Sequence, residues 1–369
     1  MFIVKQILKM ILQHVVLPLV YGFWRIVSIG KTPELIIFAD AHHETLPYSM
    51  KNVHDELVRR GCPVVEEICD YGKVSQLKSF GLAAHFMKLY AQAKVVFICD
   101  NFFPVVSCRK SKKTKVVQLW HSCGLLKAMG YDTGEDIPKY YLGNVYKNYD
   151  LVTVSAPACV EHLTRAMRQN EGVVKALGVS RTDTYFDREW IDFCKKQFYE
   201  QYPEAKGRKV ILWAPTFRGN AGDPYQVGTE SILQMEKELG EGYFVIRKVH
   251  PHIEAKYQLS NCRIPSEQLL PVTDLMITDY SSILFDFLFF KKPYVLFAPD
   301  LEEYVKKRGF YVEYDSLSPY VVTEETKLKD IVLSALKAEN EEWLKKQYDF
   351  HISSCDGQVT KRILEYLDL

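Results

Sequence analysis

The stretch Asp274-Leu275-Met276-Ile277-Thr278-Asp279-Tyr280-Ser281-Ser282-Ile283-Leu284-Phe285-Asp286-Phe287 hands a short apolar run directly to polar residues and then to a second apolar segment. It reads as a strand ending at Thr278-Asp279, followed by the N-cap and first turn of a helix. Amide groups at a helix start carry about half a unit of positive charge, so with the hydroxyls of Ser281 and Ser282 they form a cradle for phosphate. Ordinary capping by Asp279 or Ser281 accounts for one polar residue here, not five.

The same handover recurs along the chain. Leu35 to Phe38 is an apolar run followed by the polar loop Asp40-Ala41-His42-His43-Glu44 and an amphipathic stretch from Ser49 to Arg60 that stops at Gly61. Val64–Ile68, Lys94–Cys99, Val116–Leu119 and Leu151–Ser155 read as further strands. A second series follows the polar, aromatic helix around Trp190–Tyr202, with strands at Val210–Trp213, Tyr243–Lys248, Leu275–Ile277 and Pro293–Phe297. Strands alternating with helices predict parallel sheets covered on both faces. The changeover near residues 185–208 divides the chain into two doubly wound domains with a cleft between them.

Ligands of open α/β sheets bind beyond the carboxyl ends of the strands, and three more polar constellations stand there. Gln118-Leu119-Trp120-His121-Ser122-Cys123-Gly124 ends a strand at a histidine, which suits a general base near neutral pH or packs beside Trp120. Leu212-Trp213-Ala214-Pro215-Thr216-Phe217-Arg218 turns at the proline and presents Thr216 and Arg218, whose guanidinium fork matches phosphate oxygens. Arg247-Lys248-Val249-His250-Pro251-His252 delivers two cations and an imidazole, again suggesting an anion. Zinc competes for His250 and His252, but no Cys or carboxylate stands at ligand spacing. The chain has no Walker loop and no GxGxxG, so neither a P-loop nor a dinucleotide site is indicated. Diphosphate handled by cations, hydroxyls and a helix start, without metal or cofactor, is the recurring theme.

Composition sets the outer limits. The 369 residues are 47% hydrophobic and 25% charged, enough for two folded cores. The balance of 47 Lys and Arg against 46 Asp and Glu excludes global basicity as a nucleic-acid signature. Nine cysteines are scattered without a CxxC pair, which points to reduced thiols in the cytosol. Residues 1–30 differ from the rest: Lys5, Lys9, His14 and Arg25 stand among Ile, Leu, Val, Phe, Tyr and Trp, while Gln13, His14 and Pro18 break the run below the length of a bilayer span. A membrane-surface helix is expected, with packing on the protein's own core as the alternative.

As a set the motifs resemble the CDP-glycerol glycerophosphotransferases of teichoic acid synthesis. Trp120-His121 with Gly124 and Lys127, Gly178-Val179-Ser180-Arg181-Thr182-Asp183, Trp213 to Arg218, His250-Pro251-His252, Ile277 to Ser282, and Asp300-Leu301-Glu302-Glu303-Tyr304 followed by Arg308-Gly309-Phe310-Tyr311 occur in the order seen in that family. Two places depart from it. Ser122 and Cys123 separate His121 from Gly124 where Trp-His-Gly is usual, and Gly-Val-Ser-Arg stands for Gly-Tyr-Pro-Arg; both bear on the acceptor pocket.

The resemblance implies an α/β fold of GT-B type, two Rossmann-like domains facing a central cleft, with an N-terminal membrane-associating helical segment. Residues 1–30 would be that segment, 31–190 the acceptor-binding domain and 191–369 the donor-binding domain, with the C-terminal helix free to cross back. It further implies transfer of glycerol phosphate from CDP-glycerol, or ribitol phosphate from CDP-ribitol, to a polyprenyl-diphosphate-linked saccharide or polyol-phosphate chain, at the inner face of a bacterial membrane and with no cofactor. His121 is then assigned as base, and His250, Arg218, Thr216, Ser281, Ser282 and Arg308 as the diphosphate clamp. Asp279 and Asp286 would orient these groups or hold ribose, and Lys127 and Arg181 would serve the acceptor. The basic run Arg109 to Lys115 is expected to meet anionic lipid, acceptor phosphate or only solvent. Two other readings remain open: a GT-B glycosyltransferase using a nucleotide sugar, and a non-catalytic nucleotide-binding assembly protein.

Overall fold

Runs of Val, Ile, Leu and Phe with no polar alternation are the mark of strands buried on both faces, and all of them pair in parallel here. The computed structural model describes residues 10–30, 32–137, 141–220 and 223–369. The chain forms two compact units. The first comprises the residues up to His121, Met129–Asp183 and Ser354–Leu369; the second comprises Ser122–Ala128 and Thr184–Ser353.

The first unit is built on β1 (Leu35–Asp40), β2 (Val64–Ile68), β3 (Ala93–Ile98), β4 (Lys115–Gln118), β5 (Leu151–Thr153) and β6 (Val174–Lys175) in the order β2-β1-β3-β4-β5-β6. Ile36 lies between Val64 on one side and Val95 on the other, and Ile36, Ile37 and Phe38 are buried. The second unit repeats the plan with β7 (Lys209–Trp213), a small ribbon of β8 (Arg218–Asn220) and β9 (Asp223–Tyr225), then β10 (Tyr243–Arg247), β11 (Leu275–Thr278), β12 (Tyr294–Phe297) and β13 (Val321–Val322). Its sheet order is β10-β7-β11-β12-β13. Alternate residues Ile211, Trp213, Val245, Leu275, Ile277, Val295 and Phe297 share a core with Ile232, Met235, Leu328 and Val332. In both sheets the first strand has its successor on one side and the third strand on the other. That arrangement opens a crevice at the carboxyl ends of the first and third strands.

The structure shifts the domain limits read from sequence. The break expected at 190/191 falls at 183/184, residues 122–128 cluster with the second unit, and residues 354–369 with the first. Segment 122–128 is tied into the second unit by hydrogen bonds from the Leu125 amide to His351 Nδ1 (3.2 Å), from the Tyr311 amide to the Leu126 carbonyl (2.8 Å) and from the Ala128 amide to the Gly309 carbonyl (3.1 Å). Burial pushes His351 down to about 3, so its Nδ1 remains a neutral acceptor.

Near the amino end, a π-helical turn (Leu12–Val16) leads into α1 (Leu17–Val27). Leu17 and Tyr21 are buried, with the Tyr21 ring 5.3 Å from that of Tyr90 and its hydroxyl accepting the Ser111 amide at 2.8 Å. The opposite face exposes Ile11, Val15, Leu19, Phe23 and Ile26, one apolar row at helical spacing. The buried face matches the packing on the protein's own core, the other face is exposed, and Lys5 and Lys9 lie outside the described residues. Among the described residues no helix is long and apolar enough to cross a membrane. All nine cysteines are free.

Gly178 carries the return of the C-terminal segment. Its φ is +95°, and a Cβ there would stand 2.6 Å from the Ser354 carbonyl and 2.4 Å from a Val359 methyl. Gly178→Ala is expected to destabilise the first unit by about 2–4 kcal/mol, read as a lower denaturant midpoint; an unchanged midpoint would show that residues 354–359 do not press on this turn.

Candidate functional site

The carboxyl ends of β10, β7 and β11, neighbours in the second sheet, open into a cavity of about 1160 Å³. Ala214 and Pro215 line it from β7, Lys248, Val249 and His250 from β10, and Ser281 and Ile283 from β11. Strand alternation divides the two cations after β10. Lys248 lines the cavity, whereas Arg247 pairs with Glu236 and donates to the Leu259 carbonyl. The polar loop 258–266 closes the opposite wall with Gln258, Ser260, Asn261, Arg263 and Ser266. Asn261 holds that loop to β10 by receiving the Arg247 amide (2.8 Å) and donating to the Val245 carbonyl (2.8 Å). This wall escaped the sequence reading; its signal was a run of polar residues following a strand-end helix.

His250 caps α2 (Pro251–Tyr257), with Nδ1 accepting the His252 amide at 3.3 Å. Its ring lies 4.5 Å from that of Phe217 and 4.9 Å from that of His252. Burial, then the neighbouring His252, lowers its pKa. The ring is therefore neutral at physiological pH, and because Nδ1 accepts, the proton resides on Nε2, a donor suited to a phosphate oxygen.

The other expected clamp residues are arranged differently. Arg218 is 7% exposed and does not line the cavity. Its Nε and Nη2 donate to the two Asp300 oxygens (2.6 and 3.0 Å), Nη2 also meets Asp279 Oδ2 (3.0 Å), and Nη1 donates to the Thr216 carbonyl (2.5 Å). Tyr280 lies under the guanidinium at 4.7 Å and donates its hydroxyl to Asp300 at 3.0 Å. Burial disfavours the Arg218 charge, but the two carboxylates outweigh this and raise its pKa. Asp279 also accepts the amides of Thr216 (2.7 Å) and Tyr280 (2.6 Å). Arg218 and Asp279 thus fasten the strand-end loops together, a positioning role in place of direct clamping. Thr216 Oγ1 is buried with no hydrogen-bond partner among the described residues.

The expected helix start at Ser281-Ser282 is a helix of five residues, α3 (Ile283–Phe287), with no side-chain cap. This is too short for a developed dipole. Ser281 reaches the cavity, Ser282 does not line it, and Asp286 is buried within the helix. Arg308 donates to the Ala128 carbonyl at 3.2 Å, and the Lys127 backbone bridges to that of Phe310, so Lys127 clusters with the second unit.

The first unit holds His121 and Arg181. His121 follows β4 and is exposed; its Nδ1 is 2.9 Å from the Cys99 carbonyl at the end of β3. A carbonyl only accepts, so in the neutral ring Nδ1 bears the proton and Nε2 keeps its lone pair. Arg181, 5% exposed, donates to the His121 carbonyl at 3.2 Å. Trp120, buried beside the imidazole with ring centroids 4.5 Å apart, has φ +52°. That left-handed conformation is uncommon for a bulky residue and accumulates at functional sites.

Residues 34–368 match the family described as CDP-Glycerol:Poly(glycerophosphate) glycerophosphotransferase. The teichoic acid ribitol-phosphate primase of Bacillus spizizenii is 30% identical over 78% of this chain and 79% of its own length. The teichoic acid glycerol-phosphate primase of Bacillus subtilis is 32% identical over 61% of each chain. The wall teichoic acid polymerase TagF superposes with a TM-score of 0.74 at 19% identity, covering 95% of this chain and 92% of that one, which places this fold beside it. A variant of that polymerase has been soaked with CDPG.

Removing the cation from this ion-paired cluster leaves the buried Asp279 carboxylate and the partly buried Asp300 carboxylate without their shared partner. Arg218→Met is expected to destabilise the second unit by about 3–5 kcal/mol, read by denaturant unfolding. Burial opposes the Asp300 charge, but the Arg218 and Tyr280 hydrogen bonds outweigh it and lower its pKa. Its contribution is complete above the unfolded value of about 4 and is lost as pH falls through the lower folded value. The stability gap between the native chain and Asp300→Asn should therefore narrow from pH 6 to pH 3, and a constant gap would contradict the pairing.

Proposed function

The chain belongs to the CDP-glycerol:poly(glycerophosphate) glycerophosphotransferase family, enzymes of teichoic acid synthesis, and from that premise we propose that it transfers glycerol phosphate from CDP-glycerol to a hydroxyl of a polyprenyl-diphosphate-linked saccharide or polyol-phosphate chain. The first unit takes the acceptor and the second the CDP-linked donor. The observation that carries this reading is the opposite tautomers of two imidazoles. His121 presents a bare Nε2, as a base must, and His250 presents an Nε2–H, as a phosphate ligand must.

In the proposed reaction His121 Nε2 removes the proton of the acceptor hydroxyl, whose oxygen attacks the phosphorus that carries glycerol. The bond from that phosphorus to the oxygen bridging to CMP breaks, and CMP leaves with the electron pair on a phosphate oxygen. A phosphate leaving group, with a second pKa of about 6, needs little protonation, so stabilising its charge matters more than acid catalysis. His250, Lys248, Arg263 and Ser281 supply that stabilisation from the cavity wall. Arg181 acts through the His121 backbone. CDP-ribitol is the second donor to weigh, because the ribitol-phosphate primase matches over 78% of this chain.

The site of action is proposed to be a membrane surface. Support comes from the exposed row Val15, Leu19, Phe23 and Ile26, with Leu19 69% exposed. In the same unit a recess of about 370 Å³ gathers Arg109, Lys110, Lys112, Lys147 and Arg168 with one carboxylate, Asp150. Each Lys or Arg near an anionic bilayer contributes about 1 kcal/mol.

With CMP release as the assay, His121→Ala should lose transfer by at least about a thousandfold while CDP-glycerol affinity stays within twofold; surviving transfer, or lost donor binding, overturns the assignment. Running CDP-glycerol, CDP-ribitol and a CMP-sugar side by side decides the donor. Because the pKa of His250 is lowered, native donor affinity should be flat from pH 6.5 to 8, and a steady decline over that range would mean an imidazolium binds instead. Leu19→Asp with Phe23→Asp should release the protein from phosphatidylglycerol vesicles in sedimentation, and unchanged sedimentation moves the contact elsewhere.

A further inference from the structure

The loop after β1 holds an imidazole–carboxylate pair that the proposed chemistry leaves unused. Asp40 ends β1 at the crevice where the first sheet's order turns, between β1 and β3. Its carboxylate is 1% exposed; Oδ1 accepts the amides of His42 (2.7 Å) and His43 (2.8 Å) and lies 2.9 Å from His43 Nδ1. Oδ2 is 3.9 Å from the Cys99 thiol. His42 Nε2 lies 3.2 Å from the Asn101 carbonyl. The Cys99 carbonyl in turn holds His121. A connected set of polar contacts therefore runs from His43 through Asp40 and Cys99 to the imidazole assigned as base.

An Asp that caps its own loop accounts for the two amide bonds. It does not account for the third, which orients the ring of a side chain that is 51% exposed. Ordering an exposed imidazole brings no burial to offset the lost rotamer freedom. What it achieves is chemical. A carboxylate only accepts, so the neutral ring keeps its proton on Nδ1 and turns a bare Nε2 outward.

We infer that His43, oriented by Asp40, is an acceptor-binding residue whose Nε2 receives a hydrogen bond from a second hydroxyl of the acceptor polyol, beside the hydroxyl that His121 deprotonates. The ligand class is a polyol phosphate with neighbouring free hydroxyls. This inference rests on reading the first unit as the acceptor unit. A site built to hold a hydroxyl discriminates strongly against an analogue that lacks it.

The test uses the full chain with a glycerol-phosphate-primed lipid acceptor and its deoxy analogue. His43→Ala should raise the acceptor KM by about tenfold, leave the CDP-glycerol KM within twofold and abolish discrimination against the deoxy acceptor. His43→Gln, which can still accept a hydrogen bond, should recover part of the affinity. Asp40→Asn should raise the acceptor KM while nitrogen-15 NMR of the ring shows loss of the Nδ1–H tautomer, a change that a purely loop-holding role for Asp40 does not require. An unchanged acceptor KM in His43→Ala, or an equal rise in both KM values, overturns the inference. No CMP release by the native chain with CDP-glycerol or CDP-ribitol overturns the functional reading itself, so the two failures are distinguishable.

Discussion

One guanidinium holds the second unit's functional edge in place. Arg218 lies between Asp279 and Asp300, stacked on Tyr280, and thereby joins the loops that leave β7, β11 and β12. Taking three charges out of water is expensive, and the arrangement persists because four separate hydrogen-bond donations, two of them bidentate to Asp300, satisfy the charge. An apolar core could have been as stable but would not have fixed the direction in which each loop leaves its strand. Ala214, Pro215, Ser281 and Ile283, the cavity's wall residues from β7 and β11, all lie within four residues of Arg218 or Asp279.

Both units use one topological device. In each sheet the strand order reverses around the first strand, so the carboxyl ends of that strand and the third diverge and leave a crevice. Chemistry differs between the crevices because backbone partners differ. The Cys99 carbonyl after β3 accepts a hydrogen bond from His121 Nδ1–H, whereas the His252 amide at the start of α2 donates one to His250 Nδ1. Two histidines of similar intrinsic pKa acquire opposite hydrogen-bonding character from one backbone group each.

Much of this was legible beforehand. Every long apolar run expected as a strand is one, because a buried parallel strand has to be continuously apolar. The short strands β6 and β13, of two residues each, carry no periodicity to detect. The positions of His121, His250 and Ser281 at strand ends were readable from the turn signals around them. The engagement of Arg218 was not, since Asp300 is 82 residues away and an Arg after a strand reads equally as phosphate ligand or ion-pair partner. Segment 122–128 and loop 258–266 were likewise hidden, because what ties them down is a partner distant in sequence or a backbone edge.

Sequence by itself determined the layer architecture, the family and the edge of each sheet where chemistry resides, because hydrophobic periodicity and ordered motifs are local properties. Only the tertiary structure decided which polar groups face open space and which are consumed by one another. That outcome depends on burial and on partners brought together by folding, as with Arg218 between its two carboxylates and His43 against Asp40.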